Sequence, residues 1–369
     1  MFSARAGIDL PFLALVLALV AIGLIMLFSS SYAYALAYKG NSFFYLGRQA
    51  IWALAGVAVM LIASFFDYHK FHRLALPLIL LSYALLTIVI LLPTQDDAKR
   101  WIRLGGMSFQ PSEITKFALI VLYAHLMAKY HDKMNKFATG VLPYVAIFGS
   151  TAALLVLEPH LSCTMIVFGI TVLMLYLGGV QRRWFIIAFA ILGVLAYIAL
   201  FTDLIPYAST RIEVWRDPFG YPNPDDSHQT RQSLYAIGSG GLLGRGLGNS
   251  RQKYLYLPEP QNDFIFAVVC EELGFVGAVA ILMLFVLLVW RGAVIALRAP
   301  DRFGTLLAMG LTAQVGIQVL LNVAVVTSTI PNTGISLPFF SYGGTSLLML
   351  LGEMGLVLSV SRSARMDKS

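Results

Sequence analysis

The chain has 369 residues, of which 58% are hydrophobic and only 12% charged, and its mean hydropathy is +0.77. This composition excludes an ordinary soluble globular domain and is typical of a protein that crosses a membrane several times. The net charge of +7 requires no nucleic acid partner, because basic loops that face anionic lipid account for it.

Ten apolar runs are long enough, or nearly so, to cross a hydrocarbon core of about 30 Å as α-helices. They predict an all-α polytopic membrane protein, folded as a single domain over residues 1–369. The first run follows Arg5 without a small-residue cleavage site, so we expect a retained helix rather than a removed signal. The runs cover residues 10–31, 47–66, 74–93, 111–129, 140–157, 163–179, 184–202, 263–290, 304–327 and 344–361.

Lysine and arginine in the loops predict the orientation. Short loops rich in these residues remain on the cytoplasmic side, whereas long loops cross largely regardless of their charge. Ten spans with a cytoplasmic N-terminus collect most of the basic short loops on one side. We therefore expect both termini in the cytoplasm, and a large extracytoplasmic loop at 203–262 between helices 7 and 8.

The long loop is expected to contain three parts. Residues 211–226 hold three prolines and several acids and are interpreted as turns, and residues 228–237 as a short amphipathic helix at the membrane interface. The glycine-rich stretch 238–252 fits neither nucleotide-binding loop, because Leu247 follows Gly246 where a Walker loop needs lysine. We interpret it as a lid or strap over an external site.

The two cysteines, Cys163 and Cys270, both lie in apolar runs, and His160 has no second ligand at metal-site spacing. The sequence therefore predicts no nucleotide, haem or structural zinc. A lone histidine is commonly structural, but His160 is also a candidate acid or base. It stays among the candidate site residues.

Charged residues inside membrane spans are costly and are functional candidates by default. Glu113 and Lys116 lie three residues apart at the start of the fourth helix and can neutralise each other. They form either a structural ion pair or the wall of a polar cavity open to the outer leaflet. The second interpretation is favoured by the neighbours at the same entrance, Trp101, Arg103, Gln110 and Ser112.

Asp263 lies where the long loop meets the eighth span. Its carboxylate either caps the first turn of that helix or faces an external site. Glu271 and Glu272 lie on other faces of the helix and about two turns deeper, so the three acids do not form one cluster. We interpret these two glutamates, and Glu353 in the last span, as ties between helices.

Four motifs in order along the chain resemble the SEDS family (shape, elongation, division and sporulation), the group of FtsW, RodA and SpoVE. They are WIRLGGMSFQPSEITKFALI, EPHLSCT, GRGLGNSRQKYLYLPEPQNDFIFAVVCEELGF and IPNTGISLPFFSYGGTSL. The third motif looks closer to the division and sporulation members. The resemblance implies a ten-helix peptidoglycan glycosyltransferase of the bacterial cytoplasmic membrane that polymerises lipid II on its outer face. It also implies a class B penicillin-binding protein, a transpeptidase, as partner.

The resemblance also implies roles for residues of the motifs. Asp263 aligns with the acid taken as catalytic, and Glu113 and Lys116 with residues that line the central cavity. A carboxylate that removes a proton from the attacking sugar hydroxyl predicts inversion at the anomeric carbon, with lipid pyrophosphate as leaving group. The remaining substrate-binding candidates are Trp101, Arg103, Gln110, Ser112, His160, Arg211, Arg245, Lys253, Glu259, Gln261, Ser341 and Tyr342.

A divalent cation, Mg²⁺ or Mn²⁺, is a possible cofactor, with Asp263 as a possible ligand, because such ions often bind through one or two carboxylates and a phosphate. Two other functions remain open from the residues. A lipid II flippase or other transporter would use the charged residues as a pathway, and a non-catalytic scaffold would only hold its transpeptidase. Polymerisation of purified lipid II separates the three.

Overall fold

The computed structural model describes residues 7–92, 100–104, 107–201 and 206–363. Over these residues the chain forms twelve α-helices and one antiparallel pair of three-residue strands, β1 (Ile102–Leu104) and β2 (Met107–Phe109). The helices are α1 (Leu10–Lys39), α2 (Phe44–Phe65), α3 (Phe71–Leu91), α4 (Pro111–Lys129), α5 (Leu142–Leu157), α6 (Leu161–Gly178), α7 (Arg182–Phe201), α8 (Pro206–Arg216), α9 (Pro224–Gly240), α10 (Ile265–Leu297), α11 (Arg302–Val326) and α12 (Gly344–Ser363).

Every predicted apolar run coincides with one long helix, and the predominantly helical fold is confirmed. Within the described residues, eight helices are long and apolar enough to cross a membrane: α1, α2, α3, α5, α6, α10, α11 and α12. Glu113, Lys116 and His125 lower the hydropathy of α4. The protein is thus a multi-pass membrane protein, and the number of ten spans and the side on which each terminus lies stay predictions.

The length of helix α1 gives the distance between two of its contacts with α10. Asp9 caps it by accepting from the Phe12 amide, and the same carboxylate pairs with Arg291 of α10 at 2.8 Å. At 1.5 Å per residue, Ser29 lies about 30 Å further along α1, roughly one hydrocarbon thickness. Ser29 donates to Glu272 of α10 at 2.7 Å. Glu272 therefore lies about one hydrocarbon thickness away from Asp9 along the bundle.

Helix α10 is broken at Gly274, where φ is +68° and ψ is −171°. Only glycine adopts this conformation readily. The glycine-rich strap, which we define as residues 238–252, completes the break. Its carbonyls at Gly241 and Leu242 accept from the amides of Phe275 and Val276, and its amides at Arg245 and Gly246 donate to the carbonyls of Glu271 and Glu272. The backbone groups exposed by the break are thereby satisfied within the protein.

Residues 211–216 belong to helix α8 and 224–226 to α9, so the turns expected over 211–226 are confined to 217–223. The helix expected at 228–237 is confirmed as part of α9, and it packs against other helices of the protein. The reason is a row of small residues on α9, Ser227, Ser233 and Ala236, all with 0% of their surface exposed. This row lets α9 pack closely on α10 and α11, and the Ser233 hydroxyl donates to the Val326 carbonyl at 2.8 Å.

Candidate functional site

A cavity of about 660 Å³ lies at the end of the bundle that is predicted to face outward. Five helices line it, α2, α4, α6, α11 and α12, together with the segment before α10, the β1–β2 region and the stretch that leads into α12. Eight of the residues proposed from the sequence line this cavity: Trp101, Gln110, Glu113, Lys116, His160, Asp263, Ser341 and Tyr342. The fold therefore brings together motifs that are up to 240 residues apart.

Asp263 lies in the cavity wall directly before α10. Phe264, not Asp263, occupies the N-cap position of α10, so the capping interpretation of this acid is wrong. The Asp263 carboxylate accepts no hydrogen bond from the described residues, although its main-chain carbonyl accepts from the Asn322 amide at 2.8 Å. The carboxylate is thus fixed through its backbone while its oxygens stay available to a ligand.

The neighbourhood of Asp263 changes its acidity. Burial raises the pKa of Asp263 to about 6, against the opposing effect of the Arg100 guanidinium, and the Glu259 carboxylate adds to the rise. Gly334 lies directly against it: a Cβ at this position would come within 3.0 Å of Asp263 Oδ2. The absence of a side chain at residue 334 therefore leaves room for the carboxylate. A carboxylate with a pKa near 6 is ionised at neutral pH and is a stronger base than an ordinary aspartate.

A buried ion pair forms the cavity floor. Lys116 Nζ lies 3.0 Å from Glu113 Oε2 on the neighbouring turn of α4, and it donates to Gln318 Oε1 of α11 at 3.3 Å. The Gln318 amide in turn donates to the Ser336 carbonyl at 3.0 Å. The side chain of Lys116 is 2% exposed. Both interpretations of this pair hold together, since it ties α4 to α11 and also lines the cavity.

His160 faces the cavity at the start of α6. Burial, with Arg100 and Lys116 nearby, lowers the pKa of His160 to about 3, so its imidazole is neutral. Its Nε2 lies 3.4 Å from the Gln110 amide nitrogen. A neutral ring of this kind offers hydrogen bonds to a substrate but does not titrate near neutral pH.

Asn262, Ser341 and Tyr342 connect the segment before α10 with the stretch before α12. Ser341 Oγ donates to the Asn262 carbonyl and accepts from the Leu337 amide, each at 2.7 Å. The Tyr342 amide donates to the Gln261 carbonyl at 2.9 Å. These bonds hold the chain on both sides of Asp263 against the wall of the cavity.

Three residues of the cavity, two arginines and a tryptophan, were not predicted from the sequence. Arg48 and Trp52 of α2 line the cavity, and Arg100 lies at its edge, where it donates to the Pro159 carbonyl. An arginine at the second residue of the predicted span 47–66, four residues before a tryptophan, was the signal available for this site.

Six other candidates do not line the cavity. Ser112 and Gln261 are each 1% exposed and pack behind its wall, and Glu259 is exposed beside its mouth. Arg211 donates to the Asn332 carbonyl, so it supports the stretch that precedes Ser336. Arg245 and Lys253 lie against α10. The side chain of Arg103 lies outside the described residues.

Arg245 and Lys253 pair with the two glutamates of α10 instead of facing a ligand. Arg245 Nη1 lies 3.3 Å from Glu271, and Lys253 Nζ lies 2.9 Å from Glu272. Their charges are used inside the protein because both glutamates are 0% exposed. This placement removes the two cations from the substrate-binding set.

The strap contacts α10, and none of its residues lines the described cavity, so the lid interpretation is wrong. Glu271 accepts from the amides of Arg251 and Gln252 and from the hydroxyls of Ser239 and Ser250. It ties the strap to α10, and its contact with Ser239 also joins α10 to α9, as expected of a tie between helices. Glu272 does reach another span, through Ser29 of α1, and Glu353 accepts from Gln314 of α11 at 2.9 Å, as expected of ties between helices.

The cavity does not contain the ligands of a dedicated metal site. Among the described residues, no three histidine, cysteine, aspartate or glutamate side chains come together. Asp263 and Glu113 are the cavity-lining carboxylates, and Lys116 already neutralises Glu113. A divalent cation would therefore take most of its ligands from water and from phosphate oxygens of a substrate.

Residues 10–366 match the cell cycle protein family of FtsW, RodA and SpoVE. The relatives include Stage V sporulation protein E of Bacillus subtilis, which is 38% identical over 373 residues, 99% of this chain and 100% of the relative. They also include the "Probable peptidoglycan glycosyltransferase FtsW" of Geobacter sulfurreducens, 38% identical over 358 residues, 96% of this chain and 95% of the relative.

Solved structures share the fold. A chain of a peptidoglycan synthase complex, described as coordinating polymerization and crosslinking, superposes with a TM-score of 0.81 at 28% identity, covering 98% of this chain and 99% of that one. The rod shape determining protein RodA of Thermus thermophilus gives a TM-score of 0.70 at 25% identity, covering 98% of both chains. The likeness thus extends over nearly the whole length of each protein.

Proposed function

Because this chain belongs to the cell cycle protein family of FtsW, RodA and SpoVE, we propose that it polymerises lipid II into glycan strands at the outer face of the bacterial cytoplasmic membrane. It is a peptidoglycan glycosyltransferase, the activity for which its FtsW relatives are named. The observation that carries the mechanism is the Asp263 carboxylate, which lines a cavity with Arg48, Arg100 and Lys116 and accepts no hydrogen bond from the described residues.

Asp263 acts as the general base. It takes the proton from a hydroxyl of the acceptor sugar, and the hydroxyl oxygen forms a bond to the anomeric carbon of the donor chain. The bond between that carbon and the pyrophosphate oxygen breaks, and its electron pair leaves with the lipid pyrophosphate. The proton remains on Asp263 until solvent removes it. Attack opposite to the leaving group inverts the anomeric carbon.

The leaving group needs positive charge more than a proton, because pyrophosphate is a weak base. Arg48 and Arg100 line the cavity and present planar groups suited to paired contacts with phosphate oxygens. Lys116 adds a third positive charge at the floor. In this proposal Arg48, Arg100 and Lys116 bind the pyrophosphate. Arg211, Arg245 and Lys253 instead support or fasten the surrounding chain.

Two further components belong to this proposal. Asp263 would be the protein's ligand for Mg²⁺ or Mn²⁺, and the ion would supply extra neutralisation of the leaving group. A single-span class B penicillin-binding protein is the expected partner. The supporting observation for a partner is the likeness to a chain taken from a peptidoglycan synthase complex.

The purified protein in liposomes, given fluorescent lipid II, separates polymerase, flippase and scaffold. Glycan strands on a gel are expected from the wild type, with the partner transpeptidase or without it. Movement of intact lipid II between leaflets, without strands, would replace the proposal by a flippase. If the protein binds its partner but neither makes strands nor moves lipid II, it is a scaffold. Chelation of divalent ions in a parallel sample tests the cation.

A further inference from the structure

A row of four tyrosines leads away from the cavity. Tyr342 lines the cavity, and its ring lies 4.9 Å from the ring of Tyr45 in α2, edge to face. The ring of Tyr45 lies 6.2 Å from that of Tyr34 in α1, and Tyr34 lies 4.5 Å from Tyr38. Tyr45 is 8% exposed and Tyr38 is 63% exposed. The row therefore begins inside the protein and ends in the open.

Polar groups border this row on the side of the loop. Glu259 Oε1 lies 3.5 Å from the hydroxyl of Tyr34, and Glu259 Oε2 accepts from Asn262 at 2.8 Å. Asn262 directly precedes Asp263 and itself lines the cavity. On the other side, Arg48 lies over the ring of Phe44 at 4.4 Å. Aromatic rings and hydrogen-bonding groups thus lie next to one another between the cavity and the end of α1.

This combination fits a carbohydrate better than a lipid chain. The C–H faces of pyranose rings stack on aromatic rings, while their hydroxyl and amide groups bind carboxylates, amides and guanidinium groups. Each step between neighbouring tyrosine rings is comparable with the length of one sugar residue. An acyl chain would be poorly served by the Glu259 carboxylate, which costs free energy to desolvate.

Tyrosines at the outer end of a membrane helix also occur as interfacial anchors. Tyr32 has that character: it is exposed and borders an apolar groove with Leu36 and Leu255. Tyr34 and Tyr38 differ from it, because they continue a line of ring contacts that reaches the cavity through Tyr45 and Tyr342. The two sets lie on one helix and provide a matched comparison.

We propose that Tyr34, Tyr38 and Tyr342, supported by Tyr45 and bordered by Glu259, form a subsite for a β-1,4-linked amino-sugar chain that extends out of the cavity. This subsite rests on the proposed polymerase function. It holds several sugar residues of the glycan strand next to Asp263, so that the strand does not dissociate between additions. Loss of the stacking rings shortens the product rather than stopping the first bond from forming.

The direct test is binding of soluble, stem-peptide-free glycan chains to the full-length protein in nanodiscs, measured by calorimetry. We expect Tyr34→Ala with Tyr38→Ala to weaken binding about tenfold, a difference of about 1.4 kcal/mol. Tyr34→Phe with Tyr38→Phe keeps the rings and should bind within a factor of two or so of wild type. Tyr32→Ala, on the same helix, should not change binding. If the double alanine variant does not fold, Tyr38→Ala alone replaces it, because Tyr38 is largely exposed.

The same samples are then given lipid II, and the length of the glycan strands is measured. The double alanine variant should consume lipid II at first as the wild type does and release shorter strands. The subsite would be overturned if the double alanine variant bound glycan as tightly as the wild type does. It would also be overturned if the wild type bound no glycan, even if polymerisation is normal. Binding without polymerisation by the wild type would instead refute the proposed function and leave the subsite in place.

Discussion

At the scale of residues, the acids of this protein differ in what surrounds them. Glu271 and Glu272 are 0% exposed, and each accepts several hydrogen bonds and a cation contact. Asp263 lines a cavity, and its carboxylate accepts nothing from the described residues. Fully bonded carboxylates stabilise structure, whereas a carboxylate held by its backbone and left open to a ligand is available for proton transfer.

The raised pKa of Asp263 predicts how the rate depends on pH. A general base works only when ionised, so the polymerisation rate should rise with pH through about 6 and stay level above it. Below that value it should fall about tenfold per pH unit. Initial rates with saturating lipid II between pH 4.5 and 8 check this, with unfolding midpoints measured in the same buffers. A rate that stays constant down to pH 4.5 would show that no group with this pKa is required.

The Glu113–Lys116 pair predicts a separation of stability from activity. Lys116→Met leaves the Glu113 carboxylate without its cation in a mostly buried place, which costs about 3 kcal/mol of unfolding free energy. Adding Glu113→Gln removes the unpaired charge and should restore most of the stability. Neither variant should polymerise lipid II, because the positive floor of the cavity is gone.

Thermal unfolding in detergent and strand synthesis measure the two effects of the pair. Lys129→Met, at the far end of α4, is the control and should change neither. Normal synthesis by the double variant would show that Lys116 serves only the structure.

At the scale of elements, the break in α10 joins the site to the long loop. Asp263 directly precedes the short helical part before Gly274, which carries Glu271 and Glu272 at its end, where the strap is bonded to it. Hydropathy gave the position of this helix but not its break, because an apolar run contains no information on φ. Likewise, the prolines and acids of 211–226 predicted turns, and contacts of Trp215 and Arg211 with the segment 328–332 accompany a helix there instead.

Gly274→Ala tests the importance of the break. A Cβ at this residue would lie 2.2 Å from the Gly244 amide nitrogen, and the backbone conformation itself costs about 1–3 kcal/mol for a residue other than glycine. We expect a lower unfolding midpoint and faster proteolysis within the strap. Gly149→Ala in α5 meets nothing within 4 Å and should be neutral or slightly stabilising. Equal midpoints for the two variants would contradict a strained break.

At the scale of the whole molecule, helix positions and the main acidic and basic residues of the site could be predicted, because hydropathy and the cost of buried charge act locally along the chain. The meeting of these side chains in one cavity could not be predicted. Arg48 and Trp52 reach the cavity only through the packing of α2 against α12, and Lys253 leaves the candidate set only because Glu272 lies beside it. Tertiary contacts decide which of many external cations face a substrate.

The orientation of the molecule predicts a labelling pattern. The native cysteines, Cys163 and Cys270, are buried, so a membrane-impermeant maleimide should leave the wild type largely unlabelled in intact cells. Asp225→Cys, in the long loop, should be labelled from outside, and Asp132→Cys, between α4 and α5, only after the membrane is opened. Both positions are exposed. Labelling of Asp132→Cys in intact cells would reverse the predicted topology.

The central claim is that Asp263 removes the proton, and Asp263→Asn tests it most directly. The amide keeps the size of the side chain and removes the base, so the initial rate of strand synthesis should fall at least about a hundredfold, while lipid II binding is kept. Because burial disfavours the charge, the unfolding midpoint at neutral pH should stay equal or rise. Asp225→Asn, exposed in the same loop, should polymerise as the wild type does. Strand synthesis by Asp263→Asn at the wild-type rate, with the protein folded, would contradict the account.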